Sequence, residues 1–172
     1  MRNLAFALFV PLLLACGDDG PSGVPDLDAR GNYVLTELSF DPQGTLPGVD
    51  LRARITGTLP RLVLATGGQA QLVYEDATSG LITTVDATYA PTRAGEVRIT
   101  FPTSTSLQAG SFLSRTMTFA YDGTNRALIF EGTSPDGVSR QQLLALVPEW
   151  AQEQLFDPVP GTLRVVYRVN PT

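Results

Sequence analysis

Glu96-Val97-Arg98-Ile99-Thr100-Phe101 decides the fold. Apolar Val97, Ile99 and Phe101 alternate with polar Glu96, Arg98 and Thr100. Successive side chains of an extended chain point to opposite faces, so this period of two marks a strand with one dry face and one wet face. The same period recurs on both sides of it. Asn32–Phe40 carries Val34, Leu38 and Phe40 on one face. Residues 51–66 read as a long strand region, bulged near Gly57–Pro60 because proline donates no ladder bond, and ending in Leu62 and Leu64. Residues 69–76 put Ala70, Leu72 and Tyr74 inward, and residues 81–89 add Leu81, Val85, Ala87 and Tyr89. Residues 112–121 bring Leu113, Met117, Phe119 and Tyr121 together. Residues 126–133 hold Leu128 and Phe130, and residues 162–169 hold Leu163, Val165, Tyr167 and Val169. These runs are rich in β-branched and aromatic residues and bounded by turn formers, as strands are. Eight strands at regular spacing predict an all-β domain, an eight-stranded antiparallel up-and-down barrel, with a β-sandwich as the alternative.

Connection lengths point to the barrel. In an up-and-down arrangement, successive connections alternate between the two ends. Thr66-Gly67-Gly68-Gln69 and Asp122-Gly123-Thr124-Asn125 read as tight hairpins, and 90–95 is short. All three fall at one end. The other end receives 41–50, 77–80, 102–111 and an excursion after Ser134. That excursion is helical. Ser139 with Gln142 forms a capping box, and Leu143, Leu146, Val147 and Trp150 follow helical spacing. Pro148 clashes with the carbonyl four residues back, so the segment reads as two short turns, 139–147 and 148–155, or one kinked helix before the last strand. Its apolar stripe is expected to pack on the domain.

Composition narrows the chemistry. The 172 residues include no His and no Lys; all twelve basic residues are Arg. Ser-His-Asp and Cys-His arrangements are therefore excluded, as are Schiff-base lysines and the usual zinc ligand sets. Acids outnumber bases seventeen to twelve, and the arginines are scattered, so nucleic acid is a poor partner. No cofactor motif is present, and no calcium-loop spacing occurs among the acids. The expectation is a protein that is not an enzyme.

The N-terminus speaks of location. Arg2 precedes an uncharged run from Leu4 to Leu14, which is too short to span a bilayer. It ends in Leu13-Leu14-Ala15-Cys16, followed by Gly-Asp-Asp. A charged start, an apolar core and a small residue before the cut make a secretory signal. The last four residues resemble the lipobox of bacterial lipoproteins, which implies cleavage after Ala15 and acylation of Cys16. Cys16 is the sole cysteine, so no intramolecular disulfide forms. Residues 17–29 are rich in Gly, Pro and Asp and read as a flexible tether. The expected organisation is a signal peptide over 1–15, a lipidated Cys and tether over 16–30, and a barrel domain over 31–172. Gly17 rather than Asp after Cys16 favours the outer membrane over the inner.

Within the domain, Gly31-Asn32-Tyr33-Val34-Leu35-Thr36 resembles the opening segment of lipocalin-like bacterial lipoproteins. Gly44-Thr45-Leu46-Pro47, the hairpin patterned Leu62 to Leu72 and the pair Tyr167-Arg168 continue the resemblance over most of residues 31–169. Tyr33 stands where Trp is commoner, and the bulged 51–60 region has no clear counterpart. The resemblance implies a barrel whose interior binds a small apolar molecule, although the family includes members without a known ligand. Eight strands enclose an interior that side chains fill or that holds one small ligand. Two functions follow. One is a lipid-anchored envelope protein binding a small hydrophobic or amphipathic molecule in its barrel. The other is a structural or interaction lipoprotein with a filled core. A carboxylate enzyme using Glu75, Asp76 and Asp86 is a third possibility.

For the first function the candidate ligand-binding residues are Arg115, Tyr74, Phe101 and Phe119. Arg115 shares the expected inward face of Leu113, Met117 and Phe119, where a buried cation needs an anionic partner. Glu37 is its possible internal partner or a surface acid. The resemblance also implies that Tyr33 stacks with Arg168 or Arg164 to close the barrel base. The sequence does not set the oligomeric state.

Overall fold

The computed structural model describes residues 28–76, 79–93, 95–102 and 112–170. Cys16, the signal segment and most of the expected tether lie outside the described residues.

Among the described residues, nine strands make one antiparallel sheet: β1 (Gly31–Pro42), β2 (Val49–Asp50), β3 (Arg61–Leu64), β4 (Gln69–Glu75), β5 (Ile82–Arg93), β6 (Glu96–Thr100), β7 (Thr116–Asp122), β8 (Ala127–Gly132) and β9 (Gly161–Val169). From β3 to β9 each strand pairs with the next, and β1 pairs with both β3 and β9. That last pairing closes an eight-stranded barrel, with two-residue β2 laid on β1 beside β3. The barrel expected from loop lengths is therefore the fold, and the sandwich is not. Short turns join β3–β4, β5–β6 and β7–β8 at one end. The long connections gather at the other.

The interior is apolar. Leu62, Leu72, Val97, Ile99, Phe119, Leu128, Leu163, Val165 and Tyr167 are fully buried in one continuous cluster. Phe119 meets Phe130 and Tyr167 edge-to-face, with ring centres 6.3 and 6.4 Å apart. Such contacts add about 0.5–1.5 kcal/mol each beyond area burial.

Before β9 comes α1 (Arg140–Leu146), opened by the expected capping box: Gln142 N–H donates to Ser139 Oγ, and Ser139 N–H donates to Gln142 Oε1. Pro148 then begins a 3-10 turn, Pro148–Gln152. Leu143, Val147 and Trp150 are buried in the barrel's cluster, so this excursion plugs the long-loop end.

Four expectations need correction. First, Val34 is not on the face of Leu38 and Phe40. Leu35 pairs with Tyr167 and Glu37 with Val166, leaving Thr36 as a bulged extra residue. One extra residue flips the parity, so Tyr33 and Leu35 face inward before it and Leu38 and Phe40 after it. Second, residues 51–60 are not a bulged strand. Leu51 is buried, Arg52–Arg54 form a 3-10 turn, and regular pairing starts only at Arg61. Third, β5 starts at Ile82, and Leu81 is exposed rather than inward. The strand continues through Pro91 to Arg93; β4 ends opposite Thr88, so Pro91 has a single neighbouring strand and costs no central ladder bond. Fourth, Asp28–Arg30 pack on the domain instead of continuing the tether. Ala29 is buried and its carbonyl accepts from Tyr33 Oη at 2.7 Å. The Asp28 carbonyl accepts from Tyr121 Oη at 3.0 Å, and the Arg30 carbonyl from Arg126 at 3.2 Å. Tyr121 and Arg126 flank the β7–β8 turn, so the chain enters the barrel at its short-turn end.

Candidate binding site

The residues expected to bind a ligand separate into two groups. Tyr74, Phe101 and Phe119 are inward and buried, at 1%, 2% and 0% exposure. Arg115 is not among them. Regular β6–β7 pairing stops at Thr100–Thr116, and Phe112 three residues before Arg115 has a φ of 51°. Alternation therefore cannot be carried back from Met117 to Arg115, which is exposed at the rim. There it lines a pocket of about 340 Å³ with Ser114, Asp136, Ser139 and Gln142.

Two interior polar groups stand out. The hydroxyls of Tyr74 and Tyr167 are buried without a hydrogen-bond partner. Burial raises the Tyr167 hydroxyl pKa well above its ordinary value, because ionising it would strand a charge in a dry interior. Tyr33 is raised for the same main reason.

The charges lie on the outer wall. Glu37 does not serve Arg115; it accepts from Arg164 at 3.0 Å and from Arg168 at 3.4 Å. Arg164 also pairs with Glu131. Val166, directly opposite Glu37 and between the two arginines, is fully buried yet sits outside the interior cluster. The charged network thus roofs an apolar wall residue with its side-chain stems. Its geometry rules out the expected stacking of Tyr33 on Arg168 or Arg164, since Tyr33 faces inward and both arginines face out. The Arg164 guanidinium holds the Glu37 carboxyl below its usual range.

Glu75, Asp76 and Asp86 each have separate duties. Glu75 accepts from Thr58 N–H at 2.7 Å. Asp76 accepts from Ser79 N–H and Oγ in the β4–β5 turn. Asp86 accepts from Gln71 on the outer wall at 3.0 Å. Among the described residues, no group of three or more His, Cys, Asp or Glu could hold a metal ion.

A second concavity was not foreseen. Beside the plug, a pocket of about 440 Å³ opens between three segments: residues 54–60, the β4–β5 turn, and the end of α1. Ile55, Pro60, Leu146 and Pro148 are among its apolar lining, and Glu75 and Asp76 are its acids. Further shallow pockets lie over Gln71, Asp86 and Thr88 on the outer wall.

No family model, curated protein or solved structure matches this chain. The closed eight-stranded antiparallel barrel with its helix before the last strand is consistent with the lipocalin-like plan.

Proposed function

We propose that this chain is a non-catalytic lipoprotein of a bacterial envelope, held to a membrane by acyl chains on Cys16. Its barrel is a filled scaffold, and it works through the long-loop end. The observation that carries this reading is the plug. Leu143, Val147 and Trp150 continue the interior cluster across the long-loop end, and that cluster already contains large buried side chains such as Tyr33, Tyr74, Tyr167, Phe40, Phe101 and Phe119. Chain direction supports the arrangement: Asp28–Arg30 are pinned at the short-turn end, leaving the plugged end opposite the tether. Treated as a random coil, the eleven residues between Cys16 and Asp28 would average roughly 20 Å end to end. Two acyl chains would make release negligible.

A probe test separates the ends. Single cysteines from Thr124→Cys, at the short-turn end, and Phe156→Cys, at the long-loop end, are labelled on the acylated protein in vesicles. Nitroxide lipids should quench the probe at residue 124 more. Equal or reversed quenching refutes the orientation, and mass data showing a bare Cys16 thiol refute the anchor.

A second reading rests on one specific observation. The unpartnered hydroxyls of Tyr74 and Tyr167 favour an interior occupant with a polar group, in line with a barrel that binds a small amphipathic molecule. Native mass spectrometry of the envelope-purified protein distinguishes the two.

A further inference from the structure

We propose that the pocket beside the plug is a binding site for a small amphipathic cation, a molecule with an apolar body and a positively charged head. The volume, about 440 Å³, lies within the range of ligand sites. Ile55, Pro60, Leu146 and Pro148 offer the body apolar contacts. The charges set the sign of the head. Among the described residues lining the pocket, Arg54 is the one cation, and its guanidinium is already paired with Glu149 at 2.6 Å. Glu75 then leaves the lining net negative. The Glu75 carboxylate accepts from the Thr58 amide, a neutral group, so that contact leaves its charge in place. An anion entering here meets like charge in a partly desolvated setting, where repulsion is stronger than in bulk water.

The pocket is also preformed. The Glu75 carboxylate lies so close to Gly57 that a Cβ there would meet it at 2.6 Å. The 54–60 arm is thereby seated on β4 through its glycine, with the Thr58 amide bonding the same carboxylate. A preformed seat spares the ligand the ordering cost of building one. This inference rests on the reading of the long-loop end as the working end and does not depend on the acyl anchor.

The test is a titration of the isotope-labelled full-length protein, followed by amide chemical shifts. The probes are benzyltrimethylammonium, the anion phenylpropionate and neutral benzyl alcohol. The cation should shift amides of residues 54–58, 75–76, 80 and 145–146. Its affinity should exceed that of the anion at least tenfold and that of the alcohol at least threefold. Ala145→Phe, an exposed helix position whose larger side chain fills the pocket, should abolish the response while the remaining spectrum stays folded. Glu75→Gln, which keeps an acceptor for Thr58, should weaken cation binding about threefold and leave the alcohol unchanged. Equal affinities for cation and anion overturn the proposal, as does cation binding that survives Ala145→Phe. Shifts confined to barrel-interior amides overturn it too, and also count against the filled scaffold. No shifts with any probe overturn the cation site alone, because the orientation of the barrel is read separately by lipid quenching.

Discussion

Replacing Tyr167 by Phe removes one oxygen and little else. The side chain is fully buried, its ring stands 78° to that of Phe119, and its hydroxyl has no partner. A buried hydroxyl without a hydrogen bond costs about 1–3 kcal/mol on mutational scales. Tyr167→Phe keeps the ring and its edge-to-face contact, so it should stabilise the barrel by about 1–3 kcal/mol. For a domain of this size, each kcal/mol moves Tm by about 3 °C, so Tm should rise by roughly 3–9 °C. Urea melts at neutral pH supply the free energy, and an unchanged m-value confirms that the unfolding reaction is the same. The sign is decisive. If an interior occupant bonded that hydroxyl, losing the bond would lower stability by about 0.5–1.5 kcal/mol. A fall in Tm would therefore refute the dry, filled interior. Tyr74→Phe should behave the same way.

Gly161→Ala should destabilise by about 1–3 kcal/mol, because a Cβ there would come within 2.5 Å of the Asp41 carbonyl and of the buried Phe40 ring; chemical melts of the variant check this. Leu143→Ala should cost about 2–5 kcal/mol by hollowing the plug, and the emission of Trp150, the sole tryptophan, should move to the red. Glu37→Gln should cost under about 1 kcal/mol at neutral pH, since Glu37, Arg164 and Arg168 are each about two-fifths exposed and screened. Because the folded pKa of Glu37 is lowered, its contribution is present above the ordinary carboxyl value of about 4.3 and is lost as pH falls through the folded value. The stability curves of the wild type and the Glu37→Gln variant should therefore converge in acid; a constant gap across pH would exclude the carboxylate as its cause.

Much of the barrel was legible because each strand has one wet face. Glu96–Thr100 forms β6 with Val97 and Ile99 inside, as its alternation requires. Turn chemistry placed both ends of the barrel, and the Ser139 capping box placed α1. Alternation misleads where pairing is irregular, since it contains no signal for an extra residue. The bulge at Thr36 sent Val34 to the wrong face, and the break before Thr116 did the same to Arg115. Tyr74, Phe101 and Phe119 were correctly placed inside, but periodicity gives a direction and not a cavity, so it could not separate lining a void from filling one. The pocket beside the plug was invisible for a different reason. Its walls come from residues 54–60, from Glu75, Asp76 and Gly80, and from 145–148, which only the closed fold brings together.

Native mass spectrometry of the protein purified from the envelope tests the central claim most directly. The account predicts acyl groups on Cys16 and a barrel interior carrying nothing. Any small molecule seen should belong to the pocket beside the plug and should disappear in the Ala145→Phe variant. A stoichiometric small molecule retained by that variant would place an occupant in the interior and contradict the filled barrel.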